Sequence, residues 1–310
     1  MPGVQHVKAK DCPSRVPTIS RRQFLKRLLG SSALLAAGGG FYSEAIEPWR
    51  IQVRRITIPV RNLPEALNGL RIAHLTDLHR SRFVNSEFLA RAIELANQLS
   101  PDIMAFTGDY LTHDDHLNPI GKFLLGERLP PAELARQCAA CLRGARAKHG
   151  VFASLGNHDH WFDADTVTKL IEEAGIPVLR NKNQTLRING EPLAIVGLGD
   201  LWTEGVDLTR AFRHVDAPFS VVLMHNPDSF EHWSREGSHL ILAGHTHGGQ
   251  VNIPLLGPPI VPSRYGQKYA HGLFVRGEAR MYVNSGLGMI PPPVRFNCPP
   301  EIALIQLQKA

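Results

Sequence analysis

The sequence predicts an α/β fold, and three observations carry that prediction. Short apolar runs alternate with segments whose apolar residues recur at helical spacing. Five polar clusters of Asp, Asn and His each follow directly on an apolar run. Late in the chain the helical patterns give way to short strands and Gly/Pro-rich turns, which points to a mixed sheet.

Taken in order, residues 50–60 alternate polar and apolar side chains, as a half-buried strand does. Residues 70–75 form a short apolar run. Residues 86–99 then repeat apolar positions at helical spacing, with Ser86 as the expected N-cap. Residues 103–106 read as a strand, 131–148 as a helix, 151–155 as a strand, and 163–174 as a helix capped by Asp163 or Asp165. Residues 193–196, 220–224 and 239–243 read as strands, and 208–215 and 227–235 as helices. Short strands are expected at 272–275 and 280–283. No internal repeat, low-complexity tract or linker appears. The expected organisation is an N-terminal segment, 1–45, and one catalytic domain, 46–310.

Composition narrows the function. The chain of 310 residues has 43% hydrophobic and 20% charged residues, the balance of a folded domain with a substantial core. A net charge of +6 could suggest a nucleic-acid partner, but the charge is unevenly placed. Residues 1–49 hold seven Lys/Arg against three Asp/Glu, and the rest holds 27 against 25. The body is close to neutral, so no stable nucleic-acid partner is expected. Four cysteines, Cys12, Cys138, Cys141 and Cys298, are too few for a disulfide framework. Cys138 and Cys141 fall within an expected helix, as small apolar packing residues.

Ser20-Arg21-Arg22-Gln23-Phe24-Leu25-Lys26 matches the twin-arginine export pattern at every specified position. The 15 residues from Leu28 to Tyr42 are apolar, shorter than the ~20 of a comfortable membrane span and suited to a signal-peptide core. No clear A-x-A cleavage motif precedes Pro48, so the segment either leaves the mature protein or stays as an anchor. The expected partner is the twin-arginine translocase. The expected location is periplasmic, or membrane-anchored and facing outward, with membrane association as an option.

The chemistry sits in the five clusters. They are Thr76-Asp77-Leu78-His79, Thr107-Gly108-Asp109, Gly156-Asn157-His158-Asp159, His225-Asn226-Pro227 and Gly244-His245-Thr246-His247-Gly248-Gly249. Loops at the carboxyl ends of strands in α/β sheets can converge on one site. In D-x-H and H-x-H the period of two near a strand end points both side chains to one side. Imidazole mixed with carboxylate, without thiolate, suits divalent Mn²⁺, Fe²⁺ or Zn²⁺ rather than a structural Cys-zinc site. A carboxylate can bridge two cations about 3.5–4 Å apart, as two-metal hydrolases require.

In this order the five motifs resemble the calcineurin-like metallophosphoesterases over about residues 70–250. The resemblance implies a four-layer α/β/β/α sandwich of two mixed sheets, and a phosphate-ester hydrolase with two divalent ions. One ion would be held by Asp77, His79, Asp109 and His247, the other by Asp109, Asn157, His225 and His245. His158 matches the family's proton donor to the leaving group, with Asp159 expected to orient its ring. Ser263-Arg264-Tyr265-Gly266 and the stretch from Pro293 to Glu301 further resemble a bacterial, twin-arginine-exported subgroup with phosphodiesterase-type activity. Arg264 and Arg295 are candidates for binding an anionic group of the substrate, and His160 and Trp161 for lining the pocket. His113-Asp114-Asp115-His116 is weighed as an extra ion site against a solvated loop. Two other functions stay open: a phosphomonoesterase, including a protein phosphatase, and a non-catalytic metal-bearing module that binds envelope polymers. An envelope phosphate ester is the expected substrate.

Overall fold

The computed structural model describes residues 20–24, 26, 37–112 and 129–310. Most of the apolar leader stretch and the 113–116 loop therefore lie outside the described residues. Met1–Phe41 and Tyr42–Ala310 are separate compact units. In the first, Ser20 caps the turn that carries the two arginines, its Oγ accepting from Gln23 N at 3.3 Å. Among the described residues no helix is long and apolar enough to cross a membrane.

The second unit holds two mixed sheets. The first contains β1 (Gln52–Val60), β2 (Arg71–Leu75), β3 (Ile103–Thr107), β4 (Val151–Ser154) and β11 (Glu301–Lys309), in the order β1-β11-β2-β3-β4. The second contains β5 (Lys182–Ile188), β6 (Glu191–Gly197), β7 (Phe219–Leu223), β8 (Ser238–Ala243), β9 (Gly272–Arg276) and β10 (Ala279–Val283), in the order β5-β6-β7-β8-β10-β9. Strands β2, β3 and β4 are mutually parallel, as are β6, β7, β8 and β10. The carboxyl ends of each parallel set therefore lie along one edge of each sheet.

Three apolar cores explain why these central strands are continuously hydrophobic. Between the sheets, Ile58, Ile72, Ile103 and Phe152 meet Ile195, Val221, Leu223 and Leu242. On the outer face of the first sheet, Met104 and Phe106 pack under α1 (Ser86–Gln98), α2 (Pro131–Leu142) and α4 (Ala164–Glu173). On the outer face of the second, Val222, Ile241 and Met281 are covered by Phe212, Phe230 and Trp233. The architecture is thus α/β, two mixed sheets flanked by helices, as the sequence predicts.

The details differ at several ends. The N-cap of α1 is Asn85, not Ser86; its Oδ1 accepts from Phe88 N at 2.8 Å. Asp163 caps α4 as expected, taking Asp165 N and Thr166 N on Oδ1. The expected helix 131–148 stops at Leu142, where Asn97 Nδ2 takes the Gly144 carbonyl and ties the exit to α1. The outer helices of the second sheet are short. α5 (Leu208–Ala211) ends where Asn183 Nδ2 donates to the carbonyls of Ala211 and Arg213. Pro227–His232 is a 3-10 turn, because Trp233 turns extended and buries its ring. Strands β5 and β11 were not predicted. Cys138, Cys141 and Cys298 are free, and burial raises all three thiols.

Candidate metal centre

The two strand-end edges lie side by side and present all seven predicted ligands. Asp77 and His79 follow β2, Asp109 follows β3, and His225 follows β7. His245 and His247 follow β8. Asn157 opens the short helix α3 (Asn157–Phe162) behind β4. All seven are buried to 4% exposure or less. Asp77, His79, Asp109, His245 and His247 have φ between 44° and 69°, left-handed conformations that cost energy in L-residues. Such strain concentrates at functional sites and survives because the surroundings over-determine it.

Those surroundings are backbone hydrogen bonds and glycines. His245 N donates to both carboxylate oxygens of Asp77 at 3.0 Å, fastening one sheet to the other. A Cβ on Gly244 would lie 2.2 Å from Asp77 Oδ2, and one on Gly156 would lie 2.2 Å from Asp109 Oδ1. Only glycine lets the two edges approach this closely.

The ring orientations are fixed from behind. His225 Nδ1 donates to the Thr107 carbonyl at 2.6 Å, which turns its Nε2 to the site as an acceptor. His79 Nδ1 is 2.6 Å from Thr112 Oγ1, and its Nε2 likewise faces inward. The inward atoms crowd. His79 Nε2 is 2.9 Å from His247 Nε2, and His225 Nε2 is 3.2 Å from His245 Nδ1. Asp109 Oδ2 is 3.2 Å from His225 Nε2 and 3.6 Å from His79 Nε2, while Asn157 Oδ1 is 3.2 Å from His225 Nε2. Among the described residues three groups converge tightly enough to hold a metal ion: Asp77/His79/His247, His79/Asp109/His158 and Asp109/His225/His245. Lone pairs facing one another across carboxylates are repulsive unless a cation lies between them, so the donor set fits a divalent metal.

The electrostatics agree. Burial opposes the ionised forms of Asp77 and Asp109, but the surrounding histidines outweigh it and hold both carboxyls below their ordinary range. Burial likewise opposes a charged His225, yet with no cation present Asp109, Asp77 and Asp200 keep it up at about 10, so a proton then occupies the Nε2 position that a metal would take. Burial pulls His245 down to about 3 and His158 to about 4.

Two predicted roles require correction. Asp159 does not orient His158. Its carboxylate accepts from the backbone N–H groups of Asp109, Tyr110 and Gly156, each at 2.8 Å, so it fixes the loop that carries Asp109. Asp159→Asn should cost about 2–4 kcal/mol, since it turns an amide towards N–H donors. It should also weaken metal binding about 10–100-fold. Chemical denaturation and metal titration of the variant check both. Arg295 is fully buried and its Nη groups donate to four backbone carbonyls, so it does not face a substrate. His160 Nε2 lies 3.8 Å from Glu204 Oε2. Arg264 is exposed, on a segment fastened to Asp228.

His158 is placed at the site. Its backbone N–H donates to Asp109 Oδ1 at 2.9 Å, and its ring meets His79 edge-on at 4.9 Å. Trp161 lies 4.7 Å from the His158 ring, and Trp202 lies 4.3 Å from that of His245. The sequence reading missed Trp202 and its neighbour Asp200, which is buried behind β6 with Oδ1 unpartnered among the described residues. The signal was present: Gly199-Asp200 follows an apolar strand just as Gly108-Asp109 does. His74 is a core histidine whose Nε2 is 2.8 Å from Thr107 Oγ1.

Two facing mixed sheets thus bring Asp, Asn and His donors to one shared edge, a set that fits a divalent metal. The calcineurin-like phosphoesterase profile matches residues 70–249, and the chain belongs to that family of hydrolases. It is 34% identical over 296 residues to the metallophosphoesterase YkuE of Bacillus subtilis, covering 94% of this chain and 98% of that one. It is 33% identical over 293 residues to the phosphodiesterase YaeI of Escherichia coli, covering 93% and 99%. It is 29% identical over 311 residues to the UDP-2,3-diacylglucosamine pyrophosphatase LpxG of Chlamydia trachomatis, covering 86% and 92%.

Proposed function

We propose that the chain hydrolyses a phosphodiester at a two-ion centre. Asp77, His79 and His247 would serve one ion, Asn157, His225 and His245 the other, and Asp109 both. The observation that carries this reading is Asp109 Oδ2, which sits between His79 Nε2 and His225 Nε2, each in a different donor group. When bound, divalent ions such as Mn²⁺, Fe²⁺ or Zn²⁺ acidify water and neutralise phosphoryl charge.

The chain's own groups do the rest. Thr107 and Thr112 hold the His225 and His79 rings so that their Nε2 atoms point inward. The His158 imidazole, at the rim of the centre, supplies a hydrogen-bond donor to the leaving oxygen. Burial keeps that ring neutral until a phosphate's negative charge arrives, which favours its protonation. His158→Ala should keep its metal and lose about 10²-fold or more in kcat, with less loss on esters of good leaving groups. Loss of metal from that variant would instead make His158 a ligand, as its place in a donor group with His79 and Asp109 allows.

A diester rather than a monoester is favoured by the likeness to YaeI, named a phosphodiesterase. The test compares bis-p-nitrophenyl phosphate with p-nitrophenyl phosphate on chain stripped of metal and reloaded with each of the three ions. The expected result is hydrolysis lost with the metal, restored by reloading, and faster on the diester. Equal or better turnover of the monoester would replace this reading with a phosphomonoesterase, and no turnover with any ion would end it. The complete twin-arginine pattern supports export by the translocase and an envelope substrate, which fractionation of cells expressing an Arg21→Lys/Arg22→Lys chain would check.

A further inference from the structure

The chain leaves the metal centre through an apolar loop. Beyond His247, residues 253–260 turn back through a bridge between Ile253 and Gly257, with Ile253 N donating to Gly257 O at 3.1 Å and Gly257 N to Ile253 O at 2.8 Å. Leu255 at the tip is fully exposed, Ile260 is 79% exposed and Leu256 72%. Their exposure is built in. Gln267 Nε2 donates to the carbonyls of Leu256 and Pro258 at 3.3 and 2.9 Å, and so holds the loop open. Pro258 and the Ile260 carbonyl lie against Gly249, where a Cβ would come within 2.3 and 2.8 Å of them. Large aliphatic side chains are therefore held rigidly in solvent on a platform that begins two residues after a metal ligand. An exposed apolar cluster of this kind marks an interaction surface.

Two features say what covers it. The first is charge: exposed Arg264 lies on the segment that Gln267 ties to the loop, and exposed Arg50 shares a surface cavity with Pro254. The second is chain entry. Tyr42, the first residue of the compact unit, lines that same cavity and accepts from Arg50 Nη1 at 2.8 Å. The compact unit thus begins beside the cavity that Pro254 lines. A basic rim around the tip opposes self-association through this face, because like charges would meet. An anionic bilayer surface complements both the rim and the tip.

We propose that residues 253–260 insert their apolar tip into the interfacial layer of an anionic phospholipid membrane, with Arg50 and Arg264 on the headgroups. This goes beyond the hydrolytic reading and is tested without turnover. Full-length Leu256→Trp chain is mixed with phosphatidylglycerol vesicles carrying brominated acyl chains, with wild type and Gln184→Trp on edge strand β5 as references. The expected result is a blue-shifted, bromine-quenched emission from Leu256→Trp beyond both references. Quenching should weaken several-fold in Arg50→Gln/Arg264→Gln chain and on phosphatidylcholine. Chain that stays unbound, or that binds with the tryptophan at 256 unquenched, overturns the proposal. An unquenched tip in a chain whose mass doubles with concentration in light scattering would assign the loop to a second copy.

Discussion

Asp109→Ala should abolish metal-dependent hydrolysis, by at least about 10³-fold, and strip the purified chain of metal. Asp109 Oδ2 faces His225 and His79, which belong to different donor groups, and its Oδ1 accepts the His158 N–H at the start of α3. If the proposed two-ion centre holds, removing the carboxylate should loosen both positions and the entry to the helix that carries Asn157. It also removes the leading charge that holds His225 up near 10, so burial takes over and the ring loses its proton at lower pH. Elemental analysis should find well under one ion per chain, and kcat/KM on the diester should fall to background. Asp109→Asn separates the duties. It keeps an oxygen for His158 N but no bridging charge, so it should fold like wild type and still bind metal poorly. A fully loaded Asp109→Ala chain would end the bridging assignment.

The donor clusters were legible in part: the apolar runs and the D-x-H and H-x-H spacing placed Asp77 with His79, and His245 with His247, at strand ends, and the family resemblance supplied their reading as metal ligands. The backbone strain that makes the pairs work was not legible, because it depends on Asp77 catching His245 N from the other sheet. Asp159 shows the same limit. Its neighbour in sequence is His158, but its hydrogen bonds go to the backbone of residues 109, 110 and 156, partners set by the β3–β4 pairing. Asp200 could have been found, since Gly-Asp behind an apolar strand repeats the pattern at 108–109. Among fold elements, β2, β3, β7 and β8 were readable as short apolar runs. β11 was not: it enters the first sheet between β1 and β2 from about 230 residues away, and its position rests on pairing alone. The short cover of the second sheet had helical spacing in sequence, and side-chain hydrogen bonds to its carbonyls decided otherwise.

Arg295→Met should destabilise the chain by about 3–5 kcal/mol, lowering Tm by about 10 °C or more. The guanidinium is fully buried, with Nη1 donating to Cys298 O at 2.9 Å and Nη2 to the carbonyls of Ser285, Gly286 and Gly288 at 3.0, 3.1 and 2.6 Å. Methionine fills similar space and leaves the buried carbonyls of Ser285, Gly288 and Cys298 without that donor, while Gly286 O keeps Glu301 N. The damage should reach the metal centre. Leu287 N and Gly288 N donate to the carbonyls of Thr76 and Asp77, and Cβ atoms added at Gly286 and Gly288 would fall within 2.8 Å of the Cβ atoms of Asp77 and His79. The 285–288 loop therefore presses on the first ligand pair, and Arg295 holds the loop in place. Glu47 braces the same region from the N-terminal side, its carboxylate accepting Asn297 N and Cys298 N. Arg295→Lys should not rescue stability, because one ammonium cannot reproduce a planar fork shared among four carbonyls. Melting with and without added metal separates this role from substrate binding. A structural clamp predicts a low Tm in chelator and weakened metal binding, whereas a variant with wild-type Tm and only a raised KM would return Arg295 to the substrate.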